Sequence, residues 1–528
     1  MTVAYQHVDY AAKLPVWQRC RDVAAGSDAV HAAGSLYLPQ LKDQDNVDYD
    51  NYKTRAVFYN ATWRTIVGLQ GMLFRKPPVV TVPTTVTTML DDVTQAGQPL
   101  QIFALEAAEE LLITGRLGLF VDYPVVDTTA TTAADAKALN IRPLMKSYKA
   151  ESITNWKTRQ YKNQTVLSLV VLMEKACLPG DDEFENVYET QYRVLDLVDI
   201  EDDAGKVTTT YRVRVMKVME IAGVVTDVVL STAIPVLDGK ALDFIPFYFI
   251  GVDDMSWDID NPPLVDLVDV NLSHYRTTAD YEHGCHFTGL PTPVITGYVP
   301  AEPGSKLYIG STAAWMFPNP MAKASYLEFT GQGLQVLENN LEAKEMRMAV
   351  LGARMLEVQG KGVESADTAA IHRAGEQSML TSMGETISLG IQKALKVFCQ
   401  FANADDSGVT FKLNDDFFPM PMDALTLTAL IAGWQNSAYS FETLHDNLKQ
   451  ADIVSLDSTA QEELAKIKAN PPPTAMAAGG NGAPTTPGNQ NNGTRTEGVV
   501  KGKKPKVKTG VGNADGTNKT ITQLQNTK

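Results

Sequence analysis

Cysteine, histidine and long apolar runs are all scarce in this chain. Its 528 residues hold four cysteines, Cys20, Cys177, Cys285 and Cys399, set far apart and in no pairing pattern. That spacing excludes a disulfide-stapled scaffold and predicts a reducing compartment. No apolar stretch approaches the ~18 residues of a membrane span, and the opening MTVAYQHVDYAAK has neither the basic region nor the apolar run of a secretory leader. The expectation is a soluble, non-secreted protein that engages no membrane.

Signatures of chemistry are missing as well. No G-x-x-x-x-G-K-[ST] phosphate loop occurs, and Gly360-Lys361-Gly362 lacks both the hydroxyl residue and a preceding strand. There is no G-x-S-x-G elbow and no H-E-x-x-H. Three of the seven histidines, His274, His283 and His286, gather around Cys285. The spacing His283-Gly-Cys285-His286 is too tight for a usual zinc pair, and ordinary packing at a helix end accounts for it. Asp253 and Asp254 in GVDDMSWDIDNPP read as an acidic loop capping the next helix. The residues assign no catalytic group, no metal and no cofactor, so an enzyme is not expected. The rival reading, a metal-dependent DNA-processing enzyme, would place its metal on Asp253, Asp254 and Asp258.

What the chain does have is acidity. The formal net charge is −16. Residues 471–528 hold eight Lys/Arg against Glu497 and Asp515, a net of +6, so residues 1–470 carry −22 once that tail is subtracted from the total. A body so acidic does not grip nucleic acid by neutralising phosphates; DNA that touches it is expected to be held loosely. The tail, low in complexity from PPPTAMAAGGNG onward and basic at GKKPKVKTG, is expected to be disordered.

Periodicity supplies the rest. A helix is expected over Pro15–Ala25, and another carries Ala56, Tyr59, Trp63, Ile66, Val67 and Leu69–Gln70 on one face. Pro99 to Leu117 reads as an amphipathic helix with Ile102, Leu105, Ala108, Leu111 and Leu112 inward. Thr128–Lys137 reads as a mobile surface insertion. From Ile141 to Ile250 the pattern changes to strands and turns, which predicts an antiparallel sheet and an α+β class. A helix then begins at Asp260, with Leu264, Val268, Leu272, Tyr275 and Ala279 at helical spacing.

The organising stretch runs from Gly333 to Ala402. Leu334, Leu337, Leu341, Met348, Leu351, Met355 and Val358 form a stripe broken only by Lys344. Gly360 and Gly362 then redirect the chain. A second arm carries Ile371, Met379, Met383, Ile387, Ile391, Leu395 and Phe398 down one face. Rods of this length suit a subunit packed beside copies of itself. Leu425–Gln435 and Ser440–Gln450 are read as a helical pair, with Ala460–Lys468 as a further helix.

The order of these parts, with the segments YDNYKTRAVFYNATWRTIVGLQGMLFRKPP, NPPLVDLVDVNLSHYRTTADYEHGCHFTGLPTPVITG and FTGQGLQVLENNLEAKEMRMAVLGARML, resembles the tailed-bacteriophage portal protein, the head-to-tail connector. The resemblance implies a portal-like architecture. An N-terminal region and sheet-bearing wing would span 1–260, stem helices 261–284 and 330–358, and a small α/β or β clip 285–329. A tunnel loop would follow at 359–364, a long wing helix with its extended return at 365–419, a helical crown at 420–470 and the disordered basic tail at 471–528. It further implies a homo-oligomeric ring, usually of twelve, at one capsid vertex of a virion assembled in the host cytoplasm. Viral dsDNA would pass through the ring, the terminase large subunit would dock on the clip, and a head–tail adaptor with tail proteins would replace it; the major capsid and scaffold proteins would surround it. Gln359, Gly360, Lys361, Gly362, Val363, Arg347 and Arg354 would then lie at the DNA channel. Pro291, Pro293, Tyr298, Lys306 and Tyr308 would lie at the terminase contact. A head–tail adaptor without a translocation role is the other structural reading.

Overall fold

Apolar stripes at helical spacing alternate here with strands of period two, and each finds a partner of its own kind. The computed structural model describes residues 2–124, 139–201, 207–221, 223–237, 239–288, 292–297, 315–317, 319–327, 332–353, 366–415, 417, 424–451, 453–455 and 458–470. The expected mobile insertion at Thr128–Lys137 and the tail 471–528 lie outside the described residues. The helices are α1 (Val8–Ala25), α2 (Ser27–Ala32), α3 (Asn46–Arg55), α4 (Ala61–Leu73), α5 (Thr84–Thr87), α6 (Leu100–Thr114), α7 (Val265–Thr288), α8 (Gln332–Met348), α9 (Ala366–Phe401), α10 (Ala424–Gln435), α11 (Phe441–Gln450) and α12 (Ala460–Ala469).

The strands are β1 (Val79–Thr81), β2 (Arg116–Asp122), β3 (Leu144–Lys149), β4 (Ile153–Tyr161), β5 (Gln164–Pro179), β6 (Asn186–Glu201), β7 (Val207–Ile221), β8 (Val224–Ala233), β9 (Val236–Leu237), β10 (Lys240–Ala241), β11 (Phe247–Gly251), β12 (Thr292–Thr296), β13 (Lys323–Leu327) and β14 (Thr410–Lys412). Among the described residues every sheet is antiparallel, and the class is α+β. Strands β4 to β8 pair in sequence order as a five-stranded meander. A second sheet, ordered β11-β2-β3, puts Leu119 opposite both Tyr248 and Ser147.

Two large apolar cores result. The larger joins α1, α4 and α6 to α7 and α9 through Ile66, Leu111, Leu267, Tyr275, Ile387 and Phe398. The smaller lies between the two sheets, around Trp17, Trp156, Leu195, Tyr211 and Phe247. Arg116 is buried there with its guanidinium over the Trp156 and Phe249 rings, donating to the Trp257 and Asp258 carbonyls. Burial pulls its pKa downward.

Several expected boundaries and faces change. The first helix begins at Val8 and carries Pro15 inside it. Residues 56–60 lie between α3 and α4, so Ala56 and Tyr59 precede α4; on α4 Ile66, Leu69 and Gln70 are buried while Trp63 and Val67 are exposed. Ile102 likewise faces outward from α6. Helix α4 buries about half its residues and α6 about two thirds, and the spacing alone does not say where the buried arc ends. The helix expected from Asp260 begins at Val265, because Asp260 is used elsewhere: its carboxylate accepts the N–H groups of Val252 and Asp253 and so closes the acidic loop on itself. The three helices expected between Leu425 and Lys468 fall where their spacing predicts, as α10 to α12. Among the described residues, no helix is long and apolar enough to cross a membrane.

Candidate functional site

The longest rods meet in one place. Leu267, Val268, Leu272, Tyr275 and Ala279 bury one face of α7 against the body. Its other face receives α8. Gly352, in the turn after α8, lies against Leu267, Lys344 against Ser273, and Leu334 against Gly284. Contacts therefore descend α8 as they climb α7, and the two helices are antiparallel. A glycine sits at each end of this seam, where the facing side chains approach the helix backbone closely. A Cβ on Gly284 would stand 2.5 Å from Leu334 Cδ2, and one on Gly352 would stand 2.7 Å from both Leu267 Cδ2 and Thr65 Oγ1.

The break in the α8 stripe has a physical explanation. Lys344 points inward with Leu341 and Met348, and its Nζ donates to the Ser273 carbonyl at 3.0 Å and to Thr277 Oγ1. Its stem covers apolar surface while the amine finds the α7 backbone. Partial burial, with Arg276 and Arg347 nearby, holds its pKa below the usual lysine range. Next to Ser273, His274 is buried, with Nε2 3.4 Å from Glu345 Oε1. Burial lowers its pKa, and the Glu345 carboxylate opposes that shift only in part.

A third contact ties the pair to the body. Asn271 is fully buried on α7; its Oδ1 accepts from Thr62 N at 3.2 Å and Thr62 Oγ1 at 3.0 Å, and its Nδ2 donates to Tyr59 O at 2.7 Å. Asn60 caps the same helix start through Trp63 N. Helix α4 thus has one first-turn N–H satisfied by its own cap and one by another helix. The only sequence signal for Asn271 is a polar residue standing within an apolar stripe.

Beyond Met348 the helix widens into a π turn, Ala349–Ala353. Turns of this kind are rare and fall frequently at functional sites. Leu351, expected on the buried stripe, is exposed, because the wider turn rotates the stripe off the seam. Met355 and Val358 lie outside the described residues, as do Arg354 and the hinge residues Gln359, Gly360, Lys361, Gly362 and Val363. Arg347 is exposed on α8. Of the expected clip residues, Pro293 sits on β12 opposite Tyr326 of β13, while Pro291, Tyr298, Lys306 and Tyr308 lie outside the described residues. The chain then enters α9, whose 36 residues span about 54 Å; Met383, Ile387, Ile391, Leu395 and Phe398 are buried as their spacing predicts.

The aspartates of the rival enzyme reading do not converge. Asp254 accepts from Ser256 N within its own turn, and Asp258 gives its carbonyl to Arg116. Around the other cluster, His283 takes an Arg55 contact and packs edge-on to Tyr52 and Phe287. Among the described residues, no three His, Cys, Asp or Glu side chains are placed to share a metal ion.

No curated protein matches the chain. Residues 263–402, from the start of α7 to the end of α9, match a family described only as a domain of unknown function, DUF4055. Among solved structures the chain is similar to one from the virion of a native gene transfer agent (GTA) particle, at 12% identity and a TM-score of 0.35, covering 78% of this chain and 96% of that one. It is also similar to a chain of the neck of the empty GTA particle, computed with C6 symmetry, at 12% identity and a TM-score of 0.36, over 76% and 91% of the two chains. A chain of the native GTA neck, computed with C12 symmetry, matches at 12% identity and a TM-score of 0.36 over 80% and 99%.

Proposed function

We propose that the chain is a portal subunit: copies of it form a ring at one vertex of a phage-like capsid, and double-stranded DNA passes through the ring. The observation that carries this reading is the continuous run from α7 to α9. An antiparallel helix pair flanks the β12–β13 strand pair, and a π turn and a rod of about 54 Å follow. That is the order of stem, clip, stem, tunnel loop and wing helix that the sequence resemblance implies. Acidity supports it too. The segments α7 and α8 together hold seven Asp/Glu against Arg276, Lys344 and Arg347. A wall of that sign lets duplex DNA slide without adhering.

In this reading the chain performs no covalent chemistry. A separate terminase motor supplies the energy and docks on the clip, and head–tail completion proteins take its place afterwards. Residues 359–364 form the loop that meets DNA. The test is to lengthen that loop and then measure two things, ring assembly and DNA packaging into capsids. Rings that assemble but fail to package are the expected result. Normal packaging overturns the role of the loop, and a metal-dependent nuclease activity lost on replacing Asp253, Asp254 and Asp258 by alanine overturns the whole reading.

A further inference from the structure

Helix α8 is half covered, and its free half is divided lengthwise. On the flank that also meets His274, Glu338, Glu342 and Glu345 recur at i, i+4 and i+7. On the far flank stand Val336 and Arg347, both exposed, with Asn340 and Ala343 between them. Met346, 71% exposed, and Val350 lie between the two flanks and face away from α7. Residues 342 and 347 are five apart, roughly 140° around a helix of 3.6 residues per turn. Among the described residues neither Glu342 nor Arg347 has an ion-pair partner, and both are exposed.

We propose that these flanks join successive copies of the chain, the glutamate flank of one copy meeting the Arg347 flank of the next. The proposal rests on the ring reading above and adds the residues that close the ring. Its basis is symmetry. A two-fold dimer with α8 antiparallel across the axis would set a flank against itself, glutamates on glutamates, and like charges repel; parallel helices, as in neighbours around a ring, bring unlike flanks together. Unlike charges on opposite flanks of one rod suit a heterologous contact, in which each copy uses one flank on either side and the chain of contacts closes on itself. The heights agree. Cyclic symmetry holds equivalent helices level, so Arg347 of one copy starts about 7.5 Å along the axis from Glu342 of the next, and a long side chain leaning toward its helix N-terminus closes most of that distance.

The experiment uses the full chain and three variants, Arg347→Glu, Glu342→Arg and the two combined, with native mass spectrometry and negative-stain images read at low and high salt. Circular dichroism confirms that each is folded. Each single reversal is expected to lower the fraction of chain in rings by about threefold or more at low salt, and the combination to recover it to within about twofold of the original. If the unaltered chain forms rings and the combination is no better than either single change, the contact is wrong while the ring stands. Single reversals that assemble as well as the unaltered chain also overturn the contact and leave the ring standing. If the unaltered chain forms no rings under any condition that assembles capsids, the ring reading falls and this contact falls with it.

Discussion

Replacing Asn271 by alanine should be among the most damaging single changes in the chain, although the residue touches no ligand. The side chain is fully buried and makes three hydrogen bonds, to Thr62 N, Thr62 Oγ1 and Tyr59 O. The hydroxyl can rotate to another acceptor, but the amide and the carbonyl cannot. The Tyr59 carbonyl keeps the Ala61 N–H, so the Thr62 N–H is the one buried backbone group left unsatisfied, at ~1–3 kcal/mol, and the loss is about 2 kcal/mol. Asn271→Asp separates the contributions. It keeps the acceptor for Thr62 but sets a carboxylate against the Tyr59 carbonyl, which raises the folded-state pKa of that new acid. Stability due to the protonated acid is therefore fully present below the unfolded pKa and is lost as pH rises through the folded one. Urea unfolding followed by tryptophan fluorescence should show the alanine variant destabilised across the pH range, and the aspartate variant recovering as pH falls. An alanine variant within ~0.5 kcal/mol of the original, the size of an ordinary surface change, would refute the claim that Asn271 holds the helix pair to the body.

Three further outcomes follow from the packing of these helices. Gly352→Ala places a Cβ 2.7 Å from Leu267 Cδ2 and Thr65 Oγ1, and should cost about 1–3 kcal/mol; Gly71→Ala meets nothing within 4 Å on the exposed face of α4 and should gain about 0.5–1 kcal/mol in the same melts. His274 has its pKa lowered by burial. Its contribution is therefore present above the ordinary value of 6.5 and is lost as pH falls through the lower folded value. Urea midpoints should fall with acidification more steeply for the original chain than for His274→Gln, and parallel slopes would remove His274 as the cause.

Much of this architecture is written in periodicity. The stripe from Leu264 to Ala279 and the one from Met383 to Phe398 are buried as their spacing requires, since a long helix with one apolar face has one way to satisfy it. The alternation between Ile141 and Ile250 likewise becomes antiparallel sheet. Polar residues inside such stripes were less legible. Lys344 looks like a defect until the Ser273 carbonyl is seen beside it, and Asn271 gives no hint that its partners lie some two hundred residues away. Those bonds depend on which helices meet, and spacing within one segment carries no record of that. Exposed apolar residues have the same origin. Trp63 and Val67 read as part of one helical face from their spacing, yet the isolated chain leaves them exposed. The expected channel residues from Gln359 to Val363 lie outside the described residues, so their role stands on the resemblance.

The central claim is that copies of this chain close into a ring wide enough for DNA. Negative-stain microscopy of the purified protein, with native mass measured on the same sample, tests it most directly. The account predicts rings of a single copy number, usually twelve in proteins of the kind it resembles, around a hole of about 20 Å or more, the width of a duplex with grooves of known size. A chain that remains a monomer or closes as a two-fold dimer, with capsid scaffold present as well as absent, would contradict it.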